Sequence, residues 1–132
     1  MSMTIEIRML AWAILLGIVQ LLLAAGFVTA QRGLKWNAGA RDAPQAPPAG
    51  VAGRLERALR NFLETFPMFA AAALAVVAMG KGSAHTALAA QLYFWARLAY
   101  VPLYAAGVPY LRSLVWAVSL WSILQLVWAL LF

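Results

Sequence analysis

Between Met9 and Ala30 the chain runs for 22 residues with Gln20 as its sole strongly polar side chain. A helix of that length extends about 33 Å, enough to cross the hydrocarbon of a bilayer. The competing reading is a signal peptide cleaved after Val28-Thr29-Ala30. Signal h-regions run to about 7–15 residues behind a positive n-region, whereas this run is longer and Glu6 offsets Arg8 in front of it. The segment is read as a first transmembrane span, residues 9–30.

Three further apolar stretches follow, at about 54–79, 85–106 and 111–132. The second opens with the charged RLERALR and becomes MFAAAALAVVAM after Pro67. Pro67, and Pro102 in the third, each remove one helical hydrogen bond and predict kinks. Residues 31–53 form the one long polar stretch, where Pro44, Pro47 and Pro48 mark a loop. Gly80-Lys81-Gly82-Ser83 and Gly107-Val108-Pro109-Tyr110 read as tight turns. The expected fold is all-α, a single integral membrane four-helix bundle over residues 1–132.

Composition agrees with lipid as the solvent. Hydrophobic residues make up 65% of the chain and charged residues 11%, against roughly 45–50% and about 25% in soluble domains. The net charge of +6 belongs to membrane ends and anionic headgroups, so no nucleic-acid partner is expected. The chain has no cysteine, one histidine and four carboxylates. That inventory rules out disulfides and cysteine nucleophiles and predicts no metal site. Of the ten Lys and Arg residues, Arg32, Lys35, Arg41, Arg54, Arg57 and Arg60 lie in or beside the first loop. The positive-inside rule then places the first and third loops in the cytoplasm and both termini on the opposite side.

Ionisable groups within a span each cost about 2.5–3.5 kcal/mol at the helix centre, so each calls for an explanation. Offsets of four and seven set Arg57, Asn61 and Glu64 on one face of the second helix, with Arg60 one turn before Glu64. Arg97, Tyr100 and Tyr104 repeat the pattern on the third helix. One reading is structural, with Glu64 paired to Arg57, Arg60 or Arg97 to hold helices together. The other is a binding site. Arg57, Arg60, Arg97 and Arg112 outnumber the one deep carboxylate, and arginine forks suit carboxylate ligands. Glu64 then serves an amino group on the same zwitterionic molecule.

The remaining polar and aromatic residues read as structure. His85 is expected to cap a helix at the interface. Trp12, Trp95, Trp116, Trp121 and Trp128 are expected as belt anchors or packing, and Gln20 and Gln125 as interhelical hydrogen-bond donors.

The segment Arg57-Ala-Leu-Arg-Asn61-Phe-Leu-Glu64-Thr-Phe-Pro67, with Arg97-Leu-Ala-Tyr100-Val-Pro-Leu-Tyr104 and Arg112-Ser113, resembles the membrane-associated proteins in eicosanoid and glutathione metabolism, the MAPEG family, in a bacterial-type form. The likeness extends over essentially the whole chain. It implies a homotrimer in a bacterial inner membrane, with glutathione bound between subunits near the cytoplasmic side. By this resemblance Arg57, Asn61, Glu64, Arg97, Tyr100 and Tyr104 hold glutathione, Arg60 assists, and Arg112 stabilises its thiolate. Ser113 is a second donor to the sulfur or to a substrate oxygen. The implied activity is that of a glutathione transferase or peroxidase acting on a lipophilic small molecule from the bilayer.

Two positions depart from the family pattern. Thr65 stands where an aromatic is common, and Leu59 where a polar residue is. Both favour an alternative, a non-catalytic lipid-binding or accessory subunit of a membrane complex. A small four-helix exporter is a third class, disfavoured because the first span carries no carboxylate.

Overall fold

A computed structural model describes residues 2–132. It contains α1 (Ile5–Arg32), α2 (Leu34–Ala38), α3 (Gly50–Ala78), α4 (Ala84–Ala105) and α5 (Pro109–Leu131), with no strand among the described residues. Of the long helices, α1, α3 and α5 are both long and apolar enough to cross a membrane. The 22 residues of α4 extend about 33 Å, but Arg97, Gln91, His85 and three tyrosines make the helix less apolar than its neighbours. By length and composition, three helices are apolar enough to cross a membrane, where the sequence reading expects four spans.

The long helices pack against one another. α1 lies on α3 and α4, α4 lies along α5, and α3 touches both α4 and α5. Their shared core is small and aromatic. Ala13, Phe62, Phe69, Ala73, Val76, Ala90, Tyr93 and Leu126 are each at most 1% exposed, and the Phe69 and Tyr93 rings stack at 4.0 Å. Alanines at the contacts let helix backbones approach closely, as helices in lipid require. The outward faces carry Leu15, Ile18, Leu22, Leu74, Leu124 and Trp128, all exposed, a surface suited to acyl chains and costly in water.

The short connectors are set by two glycines with left-handed backbone. After α3, Gly80 (φ 66°) donates to the Val77 carbonyl, and Lys81 N–H donates to Val76. After α4, Gly107 (φ 77°) donates to Tyr104, and Val108 N–H donates to Leu103. Each pair satisfies carbonyls that a helix end leaves open, and a Cβ would strain that conformation. Pro109 then opens α5 at a position where a missing N–H costs nothing.

The polar segment departs from the expected plain loop. It contains the short helix α2, held by the Trp36 indole N–H donating to the Ala43 carbonyl at 2.9 Å. Gln31 clamps Ala49 from both sides, donating to its carbonyl at 2.7 Å and accepting from its N–H at 3.1 Å. The chain is fixed there, so α3 starts at Gly50 and not near Arg54. α1 likewise overruns the expected 9–30, because Thr4 caps it by accepting from Ile7 N–H.

At the other end of the molecule His85 is not the cap. Ser83 and Thr86 form a capping box, and His85 Nε2 instead meets Gln125 Oε1 at 2.9 Å, bridging α4 to α5. Glu6 does not simply offset Arg8. It is 4% exposed and accepts a 2.6 Å hydrogen bond from the Thr86 hydroxyl.

Candidate functional site: an arginine-rich cavity on α3, α4 and α5

One face of α3 packs Ala58, Phe62, Thr65 and Phe69 into the core. The other face turns Arg57, Arg60, Asn61 and Glu64 toward a cavity of roughly 320 Å³. α4 contributes Tyr100 and Tyr104 to its wall, and α5 contributes Arg112, Ser113 and Trp116. Eight of the nine residues singled out in the sequence therefore line one space; the ninth, Arg97, does not.

The glycine turn after α4 folds α5 back on it, setting the Arg112 guanidinium 4.6 Å over the Tyr104 ring. Arg57 approaches the same tyrosine, with Nε donating to its hydroxyl at 3.2 Å. Tyr104 thus holds two cations in place through its ring face and its oxygen, while Tyr100 meets it edge-on at 5.6 Å. Arg60 leans away toward Glu56, at 3.7 Å between an exposed and a partly exposed side chain, a contact of little energetic weight. Glu64 makes no ion pair among the described residues. The structural pairing of Glu64 with arginine is absent, and its carboxylate is free to meet a ligand.

Arg97 sits behind the cavity wall at 1% exposure. Its Nη1 donates to Asn61 Oδ1 at 2.9 Å, and its guanidinium stacks 4.2 Å from the Tyr100 ring and 5.7 Å from Phe62. Nε and Nη2 have no partner. A guanidinium can only donate, so it fixes the Asn61 amide with oxygen turned inward. The Asn61 NH2 is what remains for the cavity, a donor suited to a carboxylate or carbonyl. Arg97, which the resemblance implies as a ligand contact, thus meets this cavity through Asn61.

Ser113 lines the cavity from near the start of α5. Its hydroxyl donates to the Pro109 carbonyl one turn back, at 3.2 Å, so its lone pairs and not its proton face outward. Trp116 is a wall residue, where the sequence predicts packing or a belt anchor. Its indole nitrogen is buried without a partner. Three tryptophans recur along α5, and nothing in the sequence separates Trp116 from the exposed Trp121 and Trp128. Thr65 and Leu59, the two departures from the family pattern, lie off the cavity. Thr65 is 4% exposed and bonds the Phe62 carbonyl and the Tyr93 hydroxyl, and Leu59 faces the α1 side. Arg54, counted as a loop charge, donates to the Ala105 carbonyl at 2.8 Å and so neutralises the negative end of α4. Among the described residues no cluster of three His, Cys, Asp or Glu could hold a metal ion.

The model of the MAPEG family matches residues 9–132. The chain belongs to the MAPEG family. No curated protein matches it in a sequence comparison. As a MAPEG protein with three helices apolar enough to cross a membrane, it is an integral membrane protein, related to membrane proteins of glutathione and eicosanoid metabolism.

Proposed function

We propose that this MAPEG protein is a glutathione-dependent membrane transferase or peroxidase whose second substrate is a lipophilic electrophile or hydroperoxide. The observation that carries the reading is the charge pattern of the cavity. Arg57, Arg60 and Arg112 share it with one carboxylate, Glu64, that is paired to none of them. Glutathione complements that pattern, having two carboxylates, one ammonium group and a thiol.

In this reading Arg57 and Arg60 take carboxylates, Glu64 takes the ammonium group, and the Asn61 NH2 donates to a carbonyl or carboxylate oxygen. Tyr100 and Tyr104 shape the wall, and Arg97 holds Asn61 in the donating orientation. Arg112 is the catalytic residue. A guanidinium beside the thiol favours thiolate by charge attraction. In transfer, the thiol proton leaves to solvent, sulfur bonds to an electrophilic carbon, and that carbon's bond to its leaving group breaks, the group departing with the electron pair. In peroxide reduction, sulfur takes the distal oxygen and an alcohol departs; a second glutathione then yields disulfide and water.

The same reading makes the chain a homotrimer of a bacterial inner membrane, with α4 crossing beside the other three helices. The cavity then lies near the cytoplasmic side, at the arginine-rich end. The alternative of a non-catalytic accessory subunit drew on Thr65 and Leu59, and neither reaches the cavity. Calorimetry of glutathione on the detergent-purified protein tests the proposal. Saturable binding that disappears in both Arg57→Ala and Glu64→Gln supports it; a folded wild type that takes up no glutathione refutes it.

A further inference from the structure

A single aromatic ring fixes the direction of the Arg112 side chain. Among the described residues no side-chain hydrogen bond and no ion pair joins Arg112 to the rest of the protein. Its guanidinium carbon lies 4.6 Å from the centroid of the Tyr104 ring, where the negative face of a ring attracts a cation. Without such a contact a side chain this long samples many rotamers. Arg60 illustrates the difference: it has no ring beneath it and leans out toward Glu56.

The kind of contact matters as much as its presence. A carboxylate partner would hold the guanidinium by occupying its N–H groups, and would offset its charge. The face of a ring occupies none of them. The donors lie in the guanidinium plane and stay available, with the full charge, to an anion in the cavity. Arg97 gives the contrast. It also lies on a ring, 4.2 Å from Tyr100, but it gives Nη1 to Asn61. Tyr104 meanwhile holds a second arginine through its oxygen, which accepts from Arg57 Nε at 3.2 Å. One side chain of α4 is thus the common reference for an arginine of α3 and an arginine of α5, and Tyr100 braces it edge-on at 5.6 Å.

We infer that Tyr104 is the positioning residue for Arg112: its ring face aims the guanidinium at the reacting sulfur, and its hydroxyl sets the distance from that point to the carboxylate grip of Arg57. The inference rests on the reading of this cavity as a glutathione site and gives Tyr104 a role beyond shaping the wall. The step it governs is ionisation of the thiol, in which the S–H bond breaks, the electron pair stays on sulfur and the proton passes to water. Ring and hydroxyl have separable effects. Ring charge acts on the ionisation of the bound thiol, and the hydroxyl acts on the affinity for glutathione.

The test separates the two in the detergent-purified full chain. Tyr104→Phe keeps the ring face and removes the hydroxyl. Tyr104→pentafluorophenylalanine keeps nearly the same ring shape and reverses the charge on its face. Tyr104 is only half-buried, so both replacements keep the fold. Ultraviolet absorbance of the bound thiolate, titrated with pH against an S-methylglutathione blank, reads ionisation, and calorimetry at low pH reads affinity. Tyr104→Phe is expected to bind glutathione a few-fold more weakly than wild type and to ionise its thiol at the same pH. The fluorinated variant is expected to match Tyr104→Phe in affinity and to ionise the thiol about one pH unit higher, a roughly tenfold loss in the ionisation constant. Equal ionisation in the two variants overturns the inference, because their rings differ in face charge and hardly in shape. A folded wild type that takes up no glutathione overturns the underlying reading and the inference with it, a distinct result in which none of the three proteins gives a thiolate signal.

Discussion

A guanidinium enclosed by Phe62 and Tyr100 with no carboxylate at hand is costly to keep, and Arg97 is in that position. Desolvation costs several kcal/mol, offset by about 2 kcal/mol for a desolvated ring contact and about 1.5–3 for a charged hydrogen bond. The terms nearly cancel, so Arg97 contributes little net stability while it orients Asn61. Arg97→Leu is therefore expected to unfold within about 2 kcal/mol of wild type. Its glutathione affinity, measured by calorimetry, is expected to fall about tenfold as the Asn61 amide becomes free to turn. A large stability loss with unchanged affinity would show Arg97 to be a packing residue only. Arg112 should behave in the opposite way. Arg112→Ala is expected to lower turnover by about 100-fold or more while glutathione affinity changes only a few-fold, because its charge matters most at the reacting sulfur. Full activity in that variant removes the thiolate mechanism. The spacing of Arg57, Asn61 and Glu64 was readable in the sequence because offsets of four and seven share a helix face. The Arg97–Asn61 bond was not, since it joins residues 36 positions apart.

Where helices cross, single small residues decide the approach. A Cβ on Gly17 of α1 would stand 2.9 Å from Phe62 Cε1 on α3. Phe62 is 1% exposed, so its ring has little room to yield, and the same ring underlies Arg97. Gly17→Val is expected to destabilise the protein by about 1–3 kcal/mol in thermal unfolding. Glutathione binding should weaken with it, because α3 is pushed away from α1 at the level of the cavity floor. Unchanged melting and binding would mean that α1 and α3 do not meet there. Element boundaries followed local chemistry only in part. Pro109 and the glycine turns were legible, but the start of α3 depends on Gln31 reaching across 18 residues to Ala49.

At the scale of the molecule the absence of cysteine makes topology directly measurable. Single-cysteine variants Ala43→Cys, Lys81→Cys and Ala106→Cys each place one thiol in one connecting segment. An impermeant maleimide applied to right-side-out and inverted vesicles is expected to label Ala43→Cys and Ala106→Cys from the cytoplasmic side and Lys81→Cys from the other. Labelling of Ala106→Cys together with Lys81→Cys would mean that α4 does not cross. The distinction matters because α4 carries Arg97 and three tyrosines, and a helix that polar crosses only when its polar side is turned into protein.

Membrane residence, helical class and the charged face of α3 follow from the sequence alone. A bilayer demands long apolar runs with internally satisfied backbone, and a helix converts spacing into faces whatever surrounds it. Only tertiary contacts decided that Glu64 stays unpaired, that Arg97 stands behind Asn61, that Trp116 joins the cavity while Trp121 and Trp128 face outward, and that Gln20 has no partner. Each of those outcomes depends on which side chain of a second helix lies opposite, a relation between distant residues that no local pattern encodes.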